Sequence, residues 1–127
     1  AGSDPLNYDN NYRAIRYADV LLMAAEAEAQ SGGSNAEDYL NEVRARAYGD
    51  NSNDYSATEG DLLEAIYTER RKELAGEGLR FFDLVRTKKA AATIDGFIEN
   101  KNELFPIPLI ELELAQAVER WGQNPGY

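Results

Sequence analysis

The densest group of chemically capable side chains lies between residues 69 and 86, where Glu69, Glu73, Glu77 and Asp83 alternate with Arg70, Arg71, Arg80 and Arg86. Paired carboxylates serve as general acid and base when at least one is poorly neutralised and its pKa rises toward neutrality. The spacing here argues for the opposite. Arg70 and Glu73, Arg80 and Asp83, and Asp83 and Arg86 are three apart, while Glu69, Glu73 and Glu77 follow one another at four. Residues so spaced share a helix face, where opposite charges support the helix by about 0.2–0.5 kcal/mol per exposed pair. An arginine in reach of each carboxylate holds its pKa down. The run therefore reads as a structural ion-pair network of Arg70, Glu73, Glu77, Arg80, Asp83 and Arg86 that fixes how two helices meet. If the pair is buried, Arg80→Ala is expected to cost about 3–5 kcal/mol.

The elements that carry this run follow from periodicity. Between Ile15 and Ala29, Ala18, Leu21, Leu22, Ala25 and Ala29 fall on one side, with Asp19, Glu26 and Gln30 on others, which predicts a helix stopped by Ser31-Gly32-Gly33. Ser34 with Glu37 is a capping-box pattern for a second helix, with Leu40, Val43 and Ala47 inward and Glu42, Arg44 and Arg46 outward. Two such helices make an αα-hairpin of tetratricopeptide-like length, present in a single copy. Residues 49–57 are a polar loop. Thr58 with Asp61 is a second capping pattern, opening a helix to about Ala75 with Leu62, Ile66 and Leu74 on its buried side. Gly76 and Gly78 read as a stop and a fresh start, since glycine takes the left-handed conformation without a Cβ clash. The next helix holds Phe81, Phe82, Leu84 and Val85, with the alanines at 90–92 as a possible extension.

After Gly96 the texture changes. Pro106 and Pro108 forbid helix across 100–108, and Phe105 and Ile107 are expected to plug into the helical layer. Residues 111–117 suit a short helix and 124–127 a turn. The fold class is all-α: a tetratricopeptide-like hairpin, further helices and an irregular proline-containing C-terminal segment. Residues 1–14 read as a junction and lead-in, and 15–127 as one helical domain. The opening Ala1-Gly2-Ser3 suggests a piece of a longer protein.

Composition excludes several functions. The 127 residues carry a net charge of −10, with neither histidine nor cysteine. That removes histidine-dependent triads, thiolate chemistry and the usual zinc ligands. No basic stripe is available for nucleic acid or for an anionic membrane surface. No cofactor and no metal are expected; Asp50, Asn51, Asn53 and Asp54 lack the glycine and terminal glutamate of a standard calcium loop.

Several strings together resemble the SusD/RagB family. Residues 16–27 (RYADVLLMAAEA) are similar to the helix near the start of that family's C-terminal half, and residues 39–47 (YLNEVRARA) to the helix after it. The Glu69–Arg86 run is the family's most recognisable block. Residues 102–108 (NELFPIP), Glu111 and 123–127 (QNPGY) follow its C-terminal signature in order. The resemblance covers nearly everything from Arg16 onward. It implies a non-enzymatic, nutrient-binding outer-membrane lipoprotein of a Bacteroidetes uptake system (starch utilisation gives the family its name). Such a protein captures oligosaccharides and sits on a TonB-dependent outer-membrane transporter. It also implies an N-terminal half with a lipid anchor that this chain does not contain.

Sugar recognition uses aromatic faces over C–H surfaces, flanked by polar groups. Tyr55, beside Asn53 and Asp54, fits this best, then Tyr48, with Trp121 as the sole tryptophan. Each has a plainer role in packing or in anchoring the tail. Tyr8, Tyr12 and Tyr17 read as core or as an interface, and an uncovered face of the first helix is expected to promote self-association of this chain. Two other functions remain in view: a helical protein-interaction scaffold without sugar binding of its own, and a glycoside hydrolase using paired carboxylates.

Overall fold

The computed structural model describes residues 14–115 and 122–127, and among them every regular element is helical and no strand forms. The all-α expectation is met. The chain divides into two compact units, one running to Glu77 and one from Gly78 to Tyr127.

The first unit contains α1 (Tyr17–Ser31), α2 (Ala36–Tyr48) and α3 (Leu62–Glu73). Helix α1 packs against both of the others. Leu21, Leu22 and Ala25 of α1 meet Ala36, Leu40 and Val43 of α2 and Ala65 and Ile66 of α3 in a single buried cluster. Leu22, Leu40 and Ile66 are fully enclosed, so truncating any of them to alanine removes about 2–5 kcal/mol. The small Ala25 at the α1 contact face brings the helices close together.

The hairpin turn is local chemistry. Gly32 at φ +76 donates its N–H to the Glu28 carbonyl, and Gly33 donates to the same oxygen at 2.8 Å. The expected capping box of Ser34 and Glu37 does not form. Asn35 occupies the N-cap of α2 without a side-chain cap bond, and its own N–H donates to the Glu28 carboxylate at 3.4 Å. The tight turn thus lets a residue of the preceding helix do the capping.

Likewise, the box read at Thr58 and Asp61 is displaced by two residues. Ser56 and Glu59 close a capping box on a short 3-10 turn (Ala57–Glu59), and Asp61 is the N-cap of α3, accepting from the Glu64 N–H at 3.1 Å. Gly60 at φ +97 separates the two. Ala47, expected inward, is exposed, whereas Asp19, Glu26 and Arg44, expected outward, are buried. Periodicity sorts residues by polarity and cannot see that a buried charge has a partner.

The second unit contains α4 (Arg80–Arg86), α5 (Ala90–Thr93) and α6 (Leu109–Leu114). The alanines at 90–92 belong to a separate short helix, because Lys88 adopts φ +57 between α4 and α5. Residues 104–108 are not helical, as the prolines require. Two proline residues leave this stretch short of backbone donors, and the C-terminal tail bonds what remains. The Gln123 amide accepts from the Ile107 N–H at 2.6 Å and donates to the Ile107 carbonyl at 2.7 Å. Asn124 Nδ2 donates to the Phe105 carbonyl at 2.6 Å, and the Tyr127 hydroxyl to that of Leu104 at 3.1 Å. Phe105 therefore contributes its carbonyl while its side chain is 84% exposed, against the expectation that it plugs into the helical layer. Ile107 is half-buried.

Candidate functional site

The charged residues of the first unit build its polar interior. Arg70 Nη1 on α3 donates to Asp19 Oδ1 on α1 at 2.8 Å, with both residues buried. Arg44 on α2 donates through Nε to Glu69 Oε2 at 3.1 Å, and through Nη1 to both Glu59 oxygens and to the Asn53 carbonyl at 3.0–3.2 Å. At the N-cap of α1, Arg16 donates through Nε and Nη2 to Glu77, through Nη1 to Glu73 Oε1 at 3.0 Å, and through Nη2 to the Glu73 carbonyl at 2.9 Å. Arg46 closes on the same Glu73 oxygen.

These contacts set the protonation states. Hydrogen bonds from Arg16 hold the Glu77 carboxyl below the usual range, and Arg16 is itself raised by Glu77 and then Glu73. The Arg44 hydrogen bond lowers Glu59 likewise. Burial pulls Arg44 down, and its hydrogen bonds and charge contacts with Glu59 and Glu69 outweigh that, leaving it raised. Glu59 and Glu77 are accordingly ionised throughout the neutral range, unlike a carboxyl poised to give up a proton near pH 7.

The sequence-predicted network is distributed differently from its spacing. Arg70 bonds Asp19, 51 positions away in sequence, and Glu73 and Glu77 share Arg16, which lies 57 and 61 positions away. In the second unit Asp83 is held by Arg86 at 2.8 Å, a local pair of the expected kind. Arg80 is exposed and forms no ion pair among the described residues, so it is not the buried partner of Asp83 that the spacing suggested. Asp19, Arg16, Arg44, Arg46 and Glu59 were missed as partners. Asp19, Arg44 and Arg46 lie on the helices α1 and α2, whereas Arg16 and Glu59 lie outside them, at the N-cap of α1 and in the 3-10 turn.

Of the aromatic candidates, Tyr55 serves the core. Its ring packs against the buried cluster, its N–H donates to Asn41 Oδ1 at 2.7 Å, and its hydroxyl to the Gly60 carbonyl at 2.6 Å. Tyr48, the last residue of α2, is exposed. Trp121, Tyr8 and Tyr12 lie outside the described residues. Tyr17 is exposed and borders a hollow of about 310 Å³, floored by Ala18, Leu21 and Val43 and rimmed by Arg16 and Arg46. The polar loop folds onto itself, with Asp50 accepting from the Ser52 hydroxyl and N–H. Among the described residues no three acidic groups assemble into a metal-binding cluster.

A model of the SusD family matches residues 1–104. SusD-like protein P25 of Formosa agariphila is 43% identical across 98% of this chain, and SusD-like protein P2 of the same organism is 35% identical across all of it. The SusD-like protein P38 of that bacterium is 42% identical across 65%. The chain spans about a quarter of the first two relatives, 26% and 28% of their lengths. The P25 alignment runs over 145 positions against a chain of 127, so that relative carries residues this chain lacks. No solved structure matches.

Proposed function

This chain belongs to the SusD family, and from that premise we propose that it is part of the glycan-binding component of a Bacteroidetes nutrient-uptake system. The observation that carries the reading is the near-complete coverage of the chain by SusD-like relatives at 35–43% identity. The parent protein is an outer-membrane lipoprotein of the cell surface, anchored through a lipid outside this chain, and its partner is a TonB-dependent transporter of the SusC type. No helix among the described residues is long and apolar enough to cross a membrane.

Binding, without catalysis, is the chemistry that the charged residues support. A glycosidase needs one carboxyl kept protonated and a second free to attack or to activate water. Here Glu73 is enclosed by two guanidinium groups, Glu69 by Arg44, and Asp19 by Arg70. A second reading, a helical scaffold for a protein partner, is favoured by one observation: the apolar side chains of Tyr17, Val20 and Met23 on α1, and of Ile15 just ahead of it, are exposed. Native affinity electrophoresis through gels containing starch, xylan, laminarin, mannan or pectin separates the two. Retardation in at least one gel supports glycan binding; unaltered migration in all of them favours the scaffold.

A further inference from the structure

The second unit holds a hollow of about 270 Å³ that the charged network does not explain. It is bordered by Lys88, Phe97, Glu99, Asn100 and Glu103 over a wall that includes Ala90 and Ala91. Elsewhere in this unit several polar side chains bond backbone groups: Gln123 to Ile107, Asn124 to Phe105, Asn102 to the Ile98 N–H, and Thr87 to the Asp83 carbonyl. At the border of the hollow Lys88, Glu99 and Asn100 are exposed. Among the described residues, the side chains of Lys88, Glu99 and Asn100 make no hydrogen bond or ion pair. Glu103 accepts from the Asn100 N–H through Oε1 at 3.0 Å, but its Oε2 is buried without a donor. A buried carboxylate oxygen in that state is unfavourable and rare, and such groups ordinarily find a partner.

Among the described residues, Lys88 and Asn100, both bordering the hollow, are the non-glycine residues at positive φ, +57 and +62. Lys88 takes this conformation at the end of α4, where the Lys89 N–H donates to the Leu84 carbonyl at 2.8 Å.

The chemistry of the lining selects the ligand. A divalent cation is opposed by the Lys88 ammonium, and an anion by Glu99 and Glu103. Donors and acceptors together beside an aromatic ring suit an uncharged molecule carrying many hydroxyl groups. The volume lies just below the roughly 300–1,000 Å³ of clefts that enclose drug-sized ligands, so one ring fits and a longer oligomer must extend outside. We propose that this hollow is a sugar subsite that takes one pyranose-sized ring, with Glu103 and Glu99 accepting from its hydroxyls and Lys88 and Asn100 donating to them. The subsite rests on the glycan-binding reading and gives that reading a location.

The test is a ¹H–¹⁵N correlation titration of the 127-residue chain with D-glucose, D-galactose, D-mannose and D-xylose, and separately with calcium chloride. At least one sugar is expected to move the amides of Lys88, Phe97, Asn100 and Glu103 saturably. Lys88→Gly and Asn100→Gly both tolerate the left-handed backbone while removing a side-chain donor, and each is expected to weaken that sugar about tenfold. Variants that bind as well as the parent overturn the subsite, as do shifts caused by calcium alone. If a glycan gel retards the chain but no sugar moves these amides, the subsite falls and the glycan-binding reading stands. A chain neither retarded nor shifted overturns both.

Discussion

Arg70 on α3 donates to Asp19 on α1 at 2.8 Å inside the first unit, joining residues 51 positions apart. Both residues are buried, and removing Asp19 takes a charged partner from Arg70. Asp19→Ala is therefore expected to destabilise the chain by about 3–5 kcal/mol, the range for breaking a buried pair. Exchanging both for apolar residues of similar volume, as in Asp19→Leu with Arg70→Met, is expected to recover much of that loss. Urea denaturation of the two single variants and the double variant checks this. Additive losses would show that the two groups are energetically independent.

Arg44 and Arg80 provide a contrast between a buried and an exposed arginine. Arg44 bridges Glu69, Glu59 and the Asn53 carbonyl from within the helical layer, whereas Arg80 is exposed. Arg44→Ala is expected to cost about 3–5 kcal/mol and Arg80→Ala less than about 0.5 kcal/mol. Equal losses in chemical denaturation would contradict the burial of the one and the exposure of the other.

The contrast also marks what was legible in the sequence. Helix existence was readable because its determinants are local: Leu21, Leu22 and Ala25 recur at helical spacing, and Gly32 and Gly49 end α1 and α2 in the left-handed conformation. Partner choice was not readable. At three residues' spacing Arg70 and Glu73 look like a pair, yet Arg70 reaches Asp19 and Glu73 receives Arg16 and Arg46. An exposed i,i+3 contact gains only a few tenths of a kcal/mol. A buried carboxylate left alone loses far more, so tertiary packing decides the pairing. The caps shifted for a similar reason, with Glu28 reaching across a turn to Asn35. Among the aromatics, sequence could rank Tyr55 for its polar neighbours but could not see its hydroxyl held by Gly60.

Acid is expected to weaken the network. Arg16 lowers the folded-state pKa of Glu77, and Arg44 that of Glu59, so both bind fewer protons when folded than when unfolded. Their contribution is fully present above the unfolded glutamate value of about 4.3, and is lost as pH falls through the lower folded values. The urea midpoint should be level from pH 7 to about 5 and then decline. Glu77→Gln should make that decline shallower. A midpoint constant down to pH 3 would show that these pairs do not contribute.

Ile15, just ahead of α1, and Tyr17, Val20 and Met23 on it are 44–69% exposed, with Tyr17 at the border of the α1–α2 hollow. Contiguous exposed apolar surface of this kind promotes association. Sedimentation velocity is expected to show the 127-residue chain shifting toward dimer as concentration rises, and Val20→Lys with Met23→Lys is expected to reverse it. A monomer at every concentration would mean that this stripe is too small to drive association.

The account turns on the chain binding a glycan without cleaving it, and isothermal titration calorimetry with an oligosaccharide of the retarding polysaccharide reads both at once. The predicted result is a saturable heat of binding, with the baseline returning after each injection. A sustained heat from continuing turnover would contradict the assignment of Glu69, Glu73 and Glu77 to architecture. The absence of saturable heat with oligosaccharides of every glycan tested would contradict the binding itself.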